Sequence, residues 1–372
     1  RVLSGTIPPY RRRRQVFLSL SQANTEKLNN LSNPIMHPSF VPYRVAGAYI
    51  AQRLEREGID SPEVGIICGS GLSDLSNALE GKTLTIKYSE IPGFPFETTV
   101  VGHKGELVVG QLSGVTTICF RGRFHAYEGH PLKRVVLPVL VMRCVNVKLV
   151  IITNAAGGLN PNFNIGDVFA ISDSIALPQL SGMNALMGPN DSELGPRFQP
   201  VSNAHPEELR NVAKQAARSL QYDFFHEEGT YCFVSGPMYE SKAECKFLRQ
   251  LGVDAVGMST IPEVLAAHHS GMKVLGLSLV TNKVVMPGDM GPAASHEEVI
   301  EAVDKRSQQM QAFVKKIVEI LKSDVLPNTP RPKQINLTVP KASIVEKISL
   351  QTIVLGVAAL AAGFMIGKVR AS

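Results

Sequence analysis

The chain has 372 residues, 44% of them hydrophobic, which is enough for a sizeable core, long for one domain and short for three. Much of its net charge of +6 sits at Arg1 and Arg11 to Arg14, and it has neither zinc-finger spacing nor a basic tract interleaved with aromatics, which argues against nucleic-acid binding. The five cysteines are odd in number and scattered without a CxxC, so free thiols in a reducing compartment are expected rather than a disulfide framework.

The chain opens at Arg1 rather than at a methionine, as expected of a fragment or a processed form. Residues 1–23 are rich in Arg and Ser, with no acidic residue before Glu26, which is the composition of an organellar transit peptide. A basic, disordered extension is the other reading, and residues 1–42 stand outside the fold on either.

Val45, Ala46, Ala48, Tyr49, Ile50 and Leu54 recur at helical spacing, and Gly58 ends the run. Residues 64–68 (VGIIC) predict a buried strand feeding Gly69-Ser70-Gly71-Leu72. There several backbone N–H groups and one hydroxyl converge in a serviceable phosphate cradle, without the Lys of a Walker loop or the third Gly of a dinucleotide fingerprint. Residues 84–120 predict consecutive strands at 98–101, 107–112 and 115–120, with His103 in the turn 102–105. Residues 121–129 (RGRFHAYEG) follow directly, dense in polar chemistry. Arg123 can grip an oxyanion with its guanidinium fork, and His125, two residues on, points the same way in extended chain. A solvated loop with an ion pair is the bland alternative.

The chain is organised around residues 149–160 (LVIITNAAGGLN). A short, mostly β-branched run that stops at Asn154 suits a buried parallel strand. The small residues after it admit close backbone approach to a ligand, at the carboxyl end of a strand, where open α/β sheets bind. A plain strand-to-helix turn fits this stretch equally well.

Further strands are predicted at 167–171, 229–234, 254–258 and 274–281, and helices at 206–220, 241–251, 262–270 and 296–321. Ser241 and Glu244 have capping-box spacing. Residues 177–200 read as a long Gly/Pro-rich loop, and 286–295 (MPGDMGPAAS) as a lid. The alternation of strands and helices predicts an α/β fold over 43–325, a single domain with a mixed, largely parallel twisted sheet flanked by helices. A Pro-rich linker is expected at 326–347. The uncharged run 348–367 would span roughly 30 Å as a C-terminal hydrophobic helix, the thickness of a bilayer core. It is expected to insert as a transmembrane tail; an amphipathic or partner-binding helix is the alternative.

GSGL at 69–72, GHKG at 102–105, GRFHAYEG at 122–129, TNAAGG at 153–158, GPMYE at 236–240, VGMS at 256–259, TNK at 281–283 and His296 occur in the order found in trimeric purine nucleoside phosphorylases. The resemblance covers roughly residues 43–322. It implies the nucleoside phosphorylase fold, a homotrimer, and phosphorolysis of purine nucleosides to free base and ribose 1-phosphate. Phosphate is then a co-substrate, and neither an organic cofactor nor a metal is expected. Matched position by position, the family's phosphate residues fall on Ser70, His103, Arg123, His125, Ser259 and the backbone of Ala155. Its ribose positions fall on Tyr127, Met258 and His296. Its base-reading pair falls on Glu240, which would accept from a ring N–H, and Asn282, which would donate to purine N7 as charge builds there. Glu240, Asn282 and His125 are thus the implied catalytic residues. Tyr239 stands where relatives usually carry Phe, and Phe198 matches a residue that reaches into the neighbouring subunit's site.

The lid at 284–295 and the C-terminal run depart from the family pattern. A cytoplasmic enzyme is expected, tail-anchored through the C-terminal run or imported through the Arg-rich N-terminus. Methylthioadenosine phosphorylase is the nearest rival; its kind carries Asp at the Asn282 position and an aliphatic residue at the His296 position, so 6-oxopurine nucleosides are favoured. A non-catalytic nucleoside-binding membrane protein is disfavoured by the intact Arg123, His125, Glu240 and Asn282, and a hydrolase by the phosphate residues.

Overall fold

The computed structural model describes residues 36–69, 72–95, 100, 102–290 and 295–338. Its centre is strand β5, Leu149–Gly158. The other strands are β1 (Val64–Cys68), β2 (Glu80–Lys87), β3 (Glu106–Leu112), β4 (Val115–Arg121), β6 (Val168–Ala176), β7 (Phe225–Phe233), β8 (Ala255–Gly257) and β9 (Lys273–Lys283). They form one sheet in the order β2-β3-β4-β1-β5-β8-β7-β6-β9. An added β5–β9 pairing closes the last five strands into a ring. Five of the nine pairings are parallel (β1 with β4 and β5, β5 with β9, β7 with β6 and β8), so the sheet is mixed and only narrowly parallel.

Six longer helices cover it: α1 (Val41–Glu57), α2 (Leu137–Cys144), α3 (Glu207–Ser219), α4 (Lys242–Gln250), α5 (Ile261–His269) and α6 (His296–Asp324). Gly58 ends α1 in the left-handed conformation, φ 61°, which glycine adopts without a Cβ penalty. Ser241 caps α4 in the predicted capping box with Glu244. Successive residues of β5 point to opposite faces, so Val150 and Ile152 pack in one layer with Ile50, Met142 and Val264 of α1, α2 and α5. Leu149 and Ile151 pack in the other with Val212 of α3 and Phe313 and Ile317 of α6. All five cysteines are buried free thiols.

Several expectations are corrected. β5 runs on through Asn154 to Gly158, because Ala155 to Gly158 pair with β9 and Gly157 and Gly158 also pair with β8. A Cβ at Gly158 would lie 2.8 Å from the Val280 side chain, so the small residues serve strand approach within the sheet as well as the cleft. β2 occupies Glu80–Lys87, and the strand expected at 98–101 lies outside the described residues except for Val100, which sits in a bend. The part of the expected linker that is described is laid on the body: Arg331 donates to the carbonyls of Ser61, Pro62 and Asn146, and Ile335 is buried. The buried guanidiniums of Arg143 and Arg44 donate to the carbonyls of Lys333 and Asn336. Among the described residues no helix is long and apolar enough to cross a membrane, and the run 348–367, like residues 1–35, lies outside them.

Candidate active site

A cleft of about 480 Å³ opens at the carboxyl end of β5. It brings together Arg123, His125, Tyr127, Ala155, Tyr239, Glu240, Met258, Ser259 and Asn282, which lie as much as 159 residues apart in the chain.

Arg123 follows β4 through Gly122, whose φ of 114° and contact with His103, 2.7 Å from an added Cβ, exclude a side chain. The Arg123 side chain is 1% exposed. Its Nη1 donates to Ser259 Oγ at 2.9 Å and its Nη2 to the Thr153 carbonyl at 2.7 Å. Thr260, φ 78° and ψ −58°, forms the rare, strained kind of γ-turn, with the Ile261 N–H donating to the Ser259 carbonyl at 2.9 Å. That turn starts α5 and places Ser259 Oγ and Thr260 Oγ1 3.1 Å apart beside Arg123. Asn154, buried, donates to Thr260 Oγ1 and accepts from Ser278 Oγ, tying β5 and β9 to the turn.

His125 is buried, and its ring nitrogen Nδ1 and backbone N–H both face Glu128 Oε1, at 3.1 and 2.9 Å. Burial lowers its pKa from the ordinary histidine value, with Glu128 opposing, which favours the neutral ring. His103 stacks on it at 5.3 Å and is driven down to about 3 by burial, then by the neighbouring His125 and Arg123. Its Nδ1 accepts the Arg123 backbone N–H at 3.4 Å. His103 therefore backs the cleft residues. Tyr127 stacks on the other side of His125 at 4.5 Å.

At the far end Gly236, φ 67°, turns the chain after β7; a Cβ there would meet Met258 Sδ at 2.4 Å. Burial raises the pKa of the Glu240 carboxyl. Asn282 is 6% exposed and sits opposite Gly157 in the β5–β9 register. The Thr281 hydroxyl lies 3.3 Å from both Asn282 Oδ1 and the Ala156 carbonyl. Directed to Oδ1, it leaves the amide NH₂ free to donate. Arg123 is bonded to Thr153 and Asn282 is paired with Gly157, four residues along β5, so the two ends are separated by roughly 13 Å of strand at about 3.3 Å per residue.

Of the four other expected site residues, His103 stands behind the cleft without lining it. Ser70 lies outside the described residues; His296 is the first residue of α6, and its side chain is not described. Phe198 is 87% exposed, under Arg197, and faces a separate groove with His268 and Leu265. Thr153, Thr260, Thr281 and above all Glu263 support the site and were not singled out by sequence. Glu263 sits three residues past Thr260 at a helix start, a spacing that reads as a surface cap, yet it is wholly buried.

The sequence profile of the Phosphorylase superfamily matches residues 63–319. The bovine protein named purine nucleoside phosphorylase is 48% identical over 253 residues, 68% of this chain and 87% of its own length. Two solved structures of Schistosoma mansoni purine nucleoside phosphorylase superpose well. The complex with adenosine has a TM-score of 0.71 at 41% identity, covering 76% of this chain and 98% of the other. The complex with inosine has a TM-score of 0.70 at 42% identity, covering 75% and 97%. With the profile spanning most of its length and such relatives covered almost whole, the chain belongs to the Phosphorylase superfamily, as a member of the purine nucleoside phosphorylase family.

Proposed function

We propose that the chain is a pentosyltransferase that cleaves 6-oxopurine (deoxy)nucleosides, inosine and guanosine, with inorganic phosphate, giving free purine and (deoxy)ribose 1-phosphate for salvage. The observation that carries this reading is the single cleft, with a buried guanidinium and hydroxyl cluster at one end and a carboxyl and an amide at the other. The two ends are anchored four residues apart on β5, at Thr153 and Gly157.

On this reading Arg123, His125 and Ser259, with Ser70, His103 and the backbone of Ala155, hold the phosphate. A phosphate oxygen forms the new bond to C1′ of the sugar as the bond from C1′ to N9 breaks, and the electron pair passes to the purine. Holding the two reactants together in that geometry supplies much of the rate. Tyr127, Met258 and His296 bracket the sugar, and Tyr239 stacks on the base. Asn282 donates to N7 as it becomes negative. Glu240, ionised, accepts from the N1–H that a 6-oxopurine presents and adenine lacks.

The deciding experiment is purine release from inosine, guanosine, adenosine and methylthioadenosine, with and without phosphate. Inosine and guanosine cleavage that needs phosphate is expected. Cleavage in its absence would make the enzyme a hydrolase, and a preference for methylthioadenosine would restore the sister phosphorylase.

The assembly belongs to the same proposal. Leu180, Met183, Met187, Phe198 and Val201 are exposed together on one irregular segment, which suits a homotrimer whose neighbour receives Phe198 beside its own Tyr127 and Tyr239. Light scattering should give three copies, and Phe198→Ala should raise the KM for nucleoside more than that for phosphate; a monomer of full activity would remove this element. The run 348–367 is proposed as a membrane tail. Release of the full chain by carbonate extraction would remove that element and leave the enzyme reading intact.

A further inference from the structure

The Arg123 guanidinium has one more neighbour, and none of the chemistry above uses it. Glu263 lies in the first turn of α5, 0% exposed. Its Oε1 is 3.4 Å from Arg123 Nε, an ion pair rather than a charge-assisted hydrogen bond. Among the described residues neither carboxylate oxygen of Glu263 nor Nε of Arg123 makes a hydrogen bond of good geometry, and only the Thr260 backbone N–H and Arg123 stand near enough to favour the ionised carboxyl. A carboxylate so poorly hydrogen-bonded is costly to bury unless a charge stands beside it, and the adjacent charge is this arginine. Burial raises the Glu263 carboxyl pKa, and Arg123 pulls it back down.

The geometry around the arginine gives the carboxylate a task. A guanidinium is planar, with five N–H donors in a fixed fork. Ser259 and the Thr153 carbonyl take one N–H from each terminal nitrogen, and Glu263 faces the third side. Those three neighbours come from α5, β5 and the γ-turn between β8 and α5, so together they set the plane and the rotation of the fork that lines the cleft.

We propose that Glu263 is a positioning residue of the anion site, which locks the Arg123 fork in rotation and supplies its counter-charge while the site holds no anion. The inference rests on the reading that Arg123 binds phosphate. It predicts two separable consequences. Shortening the side chain misdirects the fork and weakens phosphate use. Removing the charge alone leaves a buried cation unpaired until phosphate arrives, so the free protein is weakened and phosphate restores more of it.

The test uses the full chain and its Glu263→Asp and Glu263→Gln variants. The phosphate KM, the nucleoside KM and the Tm with and without saturating phosphate are measured for each. Glu263→Asp should raise the phosphate KM roughly tenfold, with the nucleoside KM within about twofold, the size expected when a binding group is displaced by a fraction of an ångström to an ångström. Glu263→Gln should lower the Tm of the free protein and show a larger phosphate-induced rise than the wild type. Variants that lose only kcat or Tm, with phosphate KM and phosphate-induced rise as in the wild type, would show a structural residue and overturn the proposal. If the wild type itself needs no phosphate, the phosphorolysis reading falls first. If it needs phosphate and the variants still match it, this inference alone falls.

Discussion

Arg123→Ala tests the site most directly, because its effects on binding and on stability can be worked out separately. For binding, the substitution deletes a charge-assisted contact to phosphate, about 1.5–3 kcal/mol, or roughly 10- to 150-fold in phosphate KM at about 1.4 kcal/mol per decade. The nucleoside KM should move far less, since Glu240 and Asn282 lie at the other end of the cleft. For stability, it strands the Glu263 carboxyl, wholly buried, and strips the donor from the Thr153 carbonyl. An ionised carboxylate left alone there costs about 3–5 kcal/mol. Glu263 escapes part of that by protonation, since burial already raises its pKa and the arginine that pulled it down is gone. The sign follows from proton uptake. With its folded pKa above the unfolded one, the group binds protons better in the folded state, so stability falls as pH rises from about 4.5 toward the folded pKa. The variant should therefore lie closest to wild type near pH 5 and fall further behind at pH 7.5. Steady-state base release at varied phosphate and saturating inosine, with urea unfolding at the two pH values, measures both effects. Unchanged phosphate saturation would refute the placement of this arginine in the anion site. A stability deficit independent of pH would refute the pairing with Glu263.

Asn282→Asp should narrow or reverse a wild-type preference for inosine over adenosine of at least about a hundredfold, mainly by losing inosine activity, because an ionised Asp repels the 6-oxo oxygen and accepts from a 6-amino group; kcat/KM for both nucleosides at saturating phosphate decides it, and equal use of the two by wild type would sink the 6-oxopurine reading. Truncation after Leu326 removes the carbonyls that the buried Arg44 and Arg143 donate to, and with them Ile335, and should cost at least a few kcal/mol in denaturant unfolding relative to truncation after Thr338, which keeps them. His103, lowered to about 3 by burial, binds its proton more readily when unfolded, so it draws stability down as pH falls from about 6.5 toward 3; His103→Gln should flatten that part of the unfolding-versus-pH curve, and an unaltered slope would show that its burial is not what sets the acid sensitivity.

The local elements were largely legible. Apolar runs marked β1, β4 and most of β9, the 3.6-residue spacing marked α1 and α3, and Ser241 with Glu244 marked the start of α4, because these signals lie within a few residues of each other. Most of the cleft was legible as well, through motifs at the ends of strands, since Arg123, Glu240 and Ser259 follow a strand and Asn282 lies at the end of one. Three things were not. The run of β5 past Asn154 depends on pairing with β8 and β9, about 100 residues or more away. The packing of residues 329–338 depends on arginines at positions 44 and 143, whose buried fate no local pattern announces. Glu263 carries the ordinary signature of a helix cap and becomes a buried counter-ion only because α5 is delivered under the turn that holds Arg123. Sequence by itself determined the elements, their order and the chemistry available at their ends, because propensity, periodicity and turn residues act locally. The tertiary structure alone decided which charged groups lose their water and which other group they meet there, because burial and pairing depend on chain segments that share no sequence neighbourhood.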